Sequence, residues 1–186
     1  MKKTVLDYKV KGKKVILRCD LNVPIENGVI TDDTRIIASL RTIKYALRFN
    51  TKIILLSHLG KIKTEEDKKK NSLYPVAERL REYLNTEVLF SPDTCSDRLT
   101  DMVNNMKEKS VLLIENTRFE DVPDKRESEC NDDLAKYWAS LGDIFINDAY
   151  GTCHRNHTSI TGIPKYLPSG VGFLVEKELQ KIDSVL

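Results

Sequence analysis

Three short runs in this sequence are apolar at nearly every position. They are Val15–Leu17, Ile53–Leu56 and Val111–Ile114. A strand that is apolar throughout needs cover on both faces, as in a parallel sheet enclosed by helices. Weaker runs at Val88–Phe90 and Ile144–Ile146 bring the number of predicted strands to five. The sequence therefore favours a parallel sheet as the centre of the fold.

Helical patterns lie between these runs, with apolar residues spaced three or four apart. The patterns are Ile36, Leu40, Ile43 and Leu47; Val76, Leu80 and Leu84; Leu99, Val103 and Met106; Leu134, Trp138 and Leu141; and, from about Glu176, Leu179, Ile182 and Leu186. Thr31 with Asp32–Asp33, Ser72 and Ser96 suit helix starts, and Gly142 suits a helix end. This alternation predicts a single-domain, three-layer α/β/α sandwich with a mostly parallel, Rossmann-like sheet and right-handed crossovers.

Two segments depart from the alternation. Asn27-Gly28 stands between short extended pieces and predicts a β-hairpin over residues 24–30. Residues 61–71 are rich in Lys and Glu and contain few apolar side chains that could be buried, so they are predicted to form an exposed loop.

Charge and cysteine content restrict the class of protein. The 186 residues contain 30 Lys+Arg and 28 Asp+Glu, a net charge of +2 that gives no general surface for nucleic acid or membrane. No apolar run approaches the ~20 residues of a membrane helix, and the N-terminus lacks an apolar signal core. Cys19, Cys95, Cys130 and Cys153 form no CxxC pair. We therefore expect a soluble, cytoplasmic protein in a reduced compartment.

Polar residues follow four of the predicted strands. In open parallel sheets, ligands bind beyond the carboxyl ends of the strands. The segments found there are RCDLN (18–22), SHLGK (57–61), ENTRF (115–119) and NDAYG (147–151), and the last runs on to His154, Arg155 and His157. Arginine binds phosphate and carboxylate through paired, charge-assisted hydrogen bonds. The sequence thus predicts a positively charged pocket for a small anion, with Asp20 and Asn22 orienting the arginines.

Each of these residues also has a structural interpretation. Asp20 would cap a turn, Arg118 would pair with a neighbouring carboxylate, and a lone histidine such as His58 is often structural. Their shared position at one edge of the sheet favours the functional interpretation.

Two other functions match parts of the sequence. A metal-dependent hydrolase would use Cys153, His154 and His157 with His58 or Asp148, but Cys-His-x-x-His is an unusual zinc spacing and adjacent ligands reach one ion poorly. A nucleic-acid binder would use Lys61–Lys70, where acidic residues interrupt the charge and no aromatic residue is interleaved. Neither GxxxxGK[ST] nor GxGxxG occurs, so no nucleotide cofactor and no metal site are predicted for this chain.

The strand-end motifs resemble those of the phosphoglycerate kinase family. The matching stretches are RCDLNVP (18–24), ITDDTRI (30–36), LSHLG (56–60), ENTRF (115–119), NDAYGT (147–152) with His154-Arg155, and GFLVEKEL (172–179). Together they span nearly the whole chain, which resembles the N-terminal, 3-phosphoglycerate-binding domain. The resemblance implies phosphoryl transfer between 1,3-bisphosphoglycerate and ADP, giving 3-phosphoglycerate and MgATP.

The resemblance also implies roles for individual residues. Arg35 would be catalytic, stabilising charge on the transferred group, and the substrate-binding residues would be Asp20, Leu21, Asn22, Arg35, His58, Leu59, Gly60, Lys61, Arg118 and Arg155. Lys61 departs from the family's usual arginine and loses its bidentate fork, residues 62–66 depart from the usual loop, and Cys153 replaces a small residue.

The resemblance implies a division of the protein as well. Residues 1–174 would form the substrate domain and residues 175–186 the start of an interdomain helix. The MgATP or MgADP site would belong to an absent C-terminal domain. The protein is then expected to be a monomer, and this chain alone to bind substrate without turnover.

Overall fold

The computed structural model describes residues 3–184, which form eight strands and six helices. The strands are β1 (Lys14–Arg18), β2 (Ile25–Glu26), β3 (Val29–Ile30), β4 (Lys52–Leu56), β5 (Val88–Ser91), β6 (Ser110–Ile114), β7 (Ile144–Asn147) and β8 (Ser169–Val171). The helices are α1 (Thr34–Leu47), α2 (Glu65–Lys70), α3 (Tyr74–Tyr83), α4 (Asp97–Asn104), α5 (Asp132–Ser140) and α6 (Phe173–Asp183). None of these helices has both the length and the apolar character needed to cross a membrane.

Six strands form one sheet in the order β5-β6-β4-β1-β7-β8, and every neighbouring pair is parallel. In β1, Val15 and Leu17 pack on one face with Ile36 of α1, whereas Ile16 packs on the other face with Trp138 of α5. Side chains of successive strand residues alternate between faces, so apolar strands supply two cores at once. The predicted α/β sandwich with a parallel sheet is confirmed.

The hairpin and several helix signals are confirmed as well. Asn27 and Gly28 have φ values of 50° and 77°, the left-handed conformation that a two-residue hairpin turn requires, and they join β2 to β3. The Ser96 side chain accepts a hydrogen bond from the backbone N of Leu99 at 3.0 Å and so caps α4. Gly142 directly follows Leu141, the C-cap residue of α5.

Other details of the prediction were wrong. Residues 65–70 form helix α2 rather than a loop. Thr64 and Asp67 form a reciprocal capping box at its start, which accounts for a helix without a buried face. The N-cap residue of helix α3 is Leu73 rather than Ser72. The Ser72 hydroxyl donates to Glu115 at 2.6 Å and accepts from the backbone N of Tyr74, the first residue of α3, at 3.2 Å.

The prediction was also incomplete at the C-terminal end. Strand β8 was not predicted, because Val171 is its single large apolar residue and its other side carries only an isolated bridge from Val171 to Thr4 rather than a full strand. Helix α6 begins at Phe173, before the predicted Glu176. The predicted position Leu186 lies outside the described residues.

Candidate functional site

The loops that follow β1, β4, β6 and β7 meet at the carboxyl edge of the sheet. Backbone hydrogen bonds continue the strand pairing into these loops, from Cys19 N to Leu56 O at 2.9 Å and from Asp148 N to Arg18 O at 2.8 Å. Thr117 N likewise donates to Ser57 O, in the loop after β4, at 3.0 Å. The structure therefore brings the four predicted segments together.

Asn116, just after β6, fixes the shape of the neighbouring loops. Its fully buried side chain donates from Nδ2 to Leu59 O at 2.7 Å and to Asn71 O at 2.9 Å. Its Oδ1 accepts from the backbone N of Leu59 at 3.2 Å and of Arg118 at 3.1 Å. One amide thus holds the loop after β4 and the start of the loop that carries Arg118.

Arg35 reaches the same edge from the first turn of α1. Its Nη1 donates to Asn22 O at 2.9 Å and to Asp20 Oδ1 at 3.3 Å. The Asn22 side chain accepts from Gly60 N at 2.9 Å, which ties this group to the loop after β4. The Arg35 side chain is 53% exposed, so its guanidinium group is directed by protein contacts while it stays open to a ligand.

Leu21 and Leu59 have buried side chains, so only their backbone groups can face a ligand. Leu21 N donates to Ser57 Oγ at 2.9 Å, and Leu59 N donates to Asn116 as described above. Both leucines therefore support the loops, and their predicted substrate contact stays a prediction. The Lys61 side chain is exposed at the end of the loop that carries Gly60.

Arg18 and His58 form the buried floor of this edge. Arg18, the last residue of β1, is fully buried and its Nη2 lies 3.1 Å from His58 Nδ1. Because guanidinium groups stay protonated, Arg18 is the donor and His58 Nδ1 the acceptor. Burial, and then the charge of Arg18, lower the pKa of His58 to about 2. His58 is therefore an uncharged imidazole beside a cation.

Two further arginines surround these groups. Arg118 Nε donates to Asp121 Oδ2 at 2.9 Å. Arg118 therefore pairs with a neighbouring carboxylate, as expected if its role were structural. Burial, and then the charges of Arg118 and Arg155, lower the pKa of His157 to about 4. The charges of the same two arginines also lower the pKa of His58. The edge thus combines cationic guanidinium groups with uncharged histidines.

The residues of the metal-hydrolase alternative do not converge. Among residues 3–184, no three His, Cys, Asp or Glu side chains are grouped as metal ligands. Asp148 is instead directed to helix α6, where its Oδ1 accepts from Leu174 N at 2.9 Å. Lysines of the nucleic-acid alternative are paired within α2, Lys68 with Glu65 and Lys69 with Glu66.

The sequence interpretation missed two residues of this edge. Arg18 was placed in the motif but given no role, although a charged residue that closes an apolar strand is a signal for a buried polar function. Asn116 gives no such signal, because its role depends on loops that meet only in the folded protein.

Sequence comparisons with known proteins point to a single family. A profile of the phosphoglycerate kinase family matches residues 5–186. The phosphoglycerate kinase of Enterococcus faecalis is 56% identical over 182 residues, which cover 97% of this chain and 46% of that protein. That of Listeria innocua is 55% identical over 185 residues, covering 100% of this chain and 47% of that protein.

A solved structure gives the same result. The phosphoglycerate kinase from Coxiella burnetii superposes with a TM-score of 0.86 at 33% identity, covering 100% of this chain and 45% of that one. The chain spans about half the length of the curated relatives it matches. By its profile match, its relatives and its fold, this chain belongs to the phosphoglycerate kinase family.

Proposed function

We propose that this chain binds 3-phosphoglycerate or 1,3-bisphosphoglycerate as the substrate-binding half of a phosphoglycerate kinase. That enzyme transfers a phosphoryl group between 1,3-bisphosphoglycerate and ADP, giving 3-phosphoglycerate and ATP. The observation that carries the proposal is the meeting of the loops after β1, β4, β6 and β7 at one edge of the sheet, where Arg35 is held in place but half exposed. The charges of Arg118 and Arg155 also act on the uncharged His58 at this edge. Guanidinium groups pair with phosphate and carboxylate, and each such bond contributes roughly 1.5–3 kcal/mol.

The histidines fit a reaction that needs no general base. The acceptor carboxylate of 3-phosphoglycerate is already ionised, so catalysis rests on positioning and on neutralising charge. His58 and His157, whose pKa values are both lowered, would serve as uncharged hydrogen-bonding groups.

Arg35 is the proposed catalytic residue. Its guanidinium group is aimed by Asp20 and by the backbone of Asn22, yet half of its side chain faces solvent. It would stabilise the negative charge on the phosphoryl group during transfer. Asn22, His58, Gly60, Lys61, Arg118 and Arg155 would line the acceptor site, with Asp20 beside them and Leu21 and Leu59 contributing through their loops.

The described residues do not fit a magnesium–nucleotide complex. The sequence lacks both common phosphate-binding glycine motifs, and the carboxylates of Asp20 and Asp121 at the sheet edge are already paired with Arg35 and Arg118. We place MgATP or MgADP in a C-terminal domain of the full-length family protein. Residues 1–174 would then be the substrate domain, with the interdomain helix following from residue 175. That the protein is a monomer, lies in the cytoplasm and has no nucleic-acid or membrane partner stays a prediction.

Titration calorimetry tests the proposal. The chain should bind 3-phosphoglycerate weakly and show no measurable heat with MgADP. Glycerate, which lacks the phosphate, and inorganic phosphate are matched control ligands and should bind less tightly than 3-phosphoglycerate. Tight binding of MgADP with no response to 3-phosphoglycerate would contradict the assignment.

A coupled assay tests the second half of the proposal. The chain alone should show no turnover, because one domain cannot close over the reactants and exclude water. Robust activity from this chain alone would show that it is not a half-enzyme.

A further inference from the structure

A buried polar chain continues beneath His58, away from the ligand-facing edge. Arg18 Nε donates to Ser159 Oγ at 2.9 Å. Ser159 in turn donates to the carboxylate of Glu127, from its hydroxyl to Oε1 and from its backbone N to Oε2 at 3.0 Å. Arg18, Ser159 and Glu127 are all fully buried. None of these contacts involves a group that faces solvent, so the three hydrogen-bonded side chains lie inside the core.

The charges of Arg18 and Glu127 balance each other. Burial lowers the pKa of Arg18, and Glu127 is the strongest of the charges that oppose this shift. Burial likewise raises the pKa of Glu127, and Arg18 is the main opposing charge. A buried ion that loses its partner is strongly destabilised. Glu127 therefore allows a guanidinium group to lie under the site without solvent.

The direction of Arg18 determines the state of His58. Ser159 Oγ accepts from Nε and the backbone oxygen of Cys19 accepts from Nη1, which leaves Nη2 directed at His58 Nδ1. An imidazole nitrogen that accepts from arginine carries no proton, so the proton of a neutral ring lies on Nε2. The other charged or titratable groups acting on the ring are Arg155, Arg118 and His157, and all three lower its pKa.

We propose that Glu127 and Ser159 are positioning residues, which act through Arg18 to hold His58 as the neutral tautomer protonated on Nε2. This tautomer presents one fixed N–H donor, from which an anionic ligand can accept a hydrogen bond. The part of the inference that concerns 3-phosphoglycerate rests on the proposed function, whereas the tautomer does not.

Nuclear magnetic resonance of the imidazole nitrogens tests the tautomer directly. The chain has three histidines, and the His58 signals are assigned by their loss in His58→Gln. In the unsubstituted chain without ligand, His58 should be protonated on Nε2 and unchanged between pH 5 and 8. A proton on Nδ1, or titration of His58 in this range, would overturn the inference without any variant.

Ser159→Ala tests the positioning role. Without the hydroxyl, Arg18 Nε loses its acceptor and only the Cys19 oxygen still holds the group away from His58. Arg18 can then turn directly to Glu127, and His58 loses its fixed donor. The His58 nitrogen signals should then show a mixture of tautomers, and 3-phosphoglycerate should bind at least fivefold more weakly. Ser110→Ala is the matched control, because Ser110 is also buried but lies at the opposite end of the sheet, where it bonds Lys107 O. It should change neither readout.

The outcomes separate the two claims. A folded Ser159→Ala chain with unchanged His58 signals would overturn the positioning role. If Ser159→Ala shifts the His58 signals while the unsubstituted chain fails to bind 3-phosphoglycerate, the positioning inference stands and the proposed function fails. Glu127→Gln, which keeps the shape but removes the charge, should shift the His58 signals in the same direction as Ser159→Ala.

Discussion

Arg35 Nη1 lies 3.3 Å from Asp20 Oδ1, and the pair joins the first turn of α1 to the loop after β1. Because the Arg35 side chain is half exposed, solvent screens the pair and it adds little to stability. Its effect is on direction, since the guanidinium group is also held by the backbone oxygen of Asn22. An arginine held in this way can be replaced without unfolding the protein.

We predict that Arg35→Ala folds normally but lowers kcat of a full-length enzyme containing this segment by roughly 10²–10³-fold, as expected for loss of a transition-state donor. Steady-state kinetics measures the effect, and circular dichroism checks the fold. Arg48→Ala, at the exposed far end of the same helix, is the control and should retain activity. Survival of Arg35→Ala activity within a few-fold would remove Arg35 from the catalytic role.

Lys61→Arg should strengthen the binding of 3-phosphoglycerate by roughly three- to tenfold, because it restores a planar fork of donors next to Gly60. The exposed position tolerates the larger side chain. Calorimetric titration gives the affinity, and Lys63→Arg, at a nearby exposed position, is the control. Equal affinities for all three proteins would show that residue 61 does not contact the ligand.

Asn116→Ala should lower the free energy of unfolding by about 2–4 kcal/mol, because it leaves two buried backbone groups of Leu59 and two half-buried ones of Asn71 and Arg118 without partners. Urea denaturation measures the loss. Asn105→Ala, which removes an exposed amide bonded only to Asp101 O, should stay within about 0.5 kcal/mol of the unsubstituted chain. A loss of similar size in both variants would argue against a special role for Asn116.

Asp148→Asn should change how stability depends on pH. Burial raises the pKa of Asp148 from 3.8 to about 6, against the hydrogen bonds from Thr42, Leu174 and Val175 that favour the ionised form. The folded protein therefore binds this proton more tightly than the unfolded chain does. The contribution of Asp148 to the free energy of unfolding therefore falls by about 3 kcal/mol as pH rises from about 4 to about 6, and it does not change further above that range.

The asparagine variant lacks this ionisation, so its free energy of unfolding should fall less steeply between pH 4 and 6 than that of the unsubstituted chain. Other acids titrate in the same range, and the difference between the two curves isolates Asp148. Denaturant titrations at half-unit pH steps provide both curves. Parallel curves would mean that Asp148 ionises as freely in the folded protein as in the unfolded chain.

The strands, and the meeting of the polar segments at one edge of the sheet, could be predicted because each depends on a local rule. A strand covered on both faces must be apolar, so β1, β4 and β6 were evident from their sequences. The edge strand β8 is under no such requirement. Helix α2 has no buried face, and its stability comes from Thr64, Asp67 and pairs of charged side chains that composition alone does not distinguish from a loop.

The inner part of the site could not be predicted. Glu127 and Ser159 lie in segments that are separated from Arg18 by most of the chain, and a serine in a loop carries no local signal. Arg35 was assigned only through the family resemblance, because its helix is not next to a predicted strand end. Contacts of this kind arise from the tertiary fold rather than from sequence periodicity.

The position of β1 has a consequence for biosynthesis. This strand leaves the ribosome early, but its partner β7 follows much later in the chain, so one side of β1 lacks its neighbour while the intervening residues are translated. Pairings between distant segments form slowly, and nascent domains fold as units. Arg18, which closes β1, can reach Ser159 only after β7 has been made. Nascent chains stalled before Ser159 should therefore hold a partly assembled sheet in which Arg18 has not yet met Ser159 and Glu127.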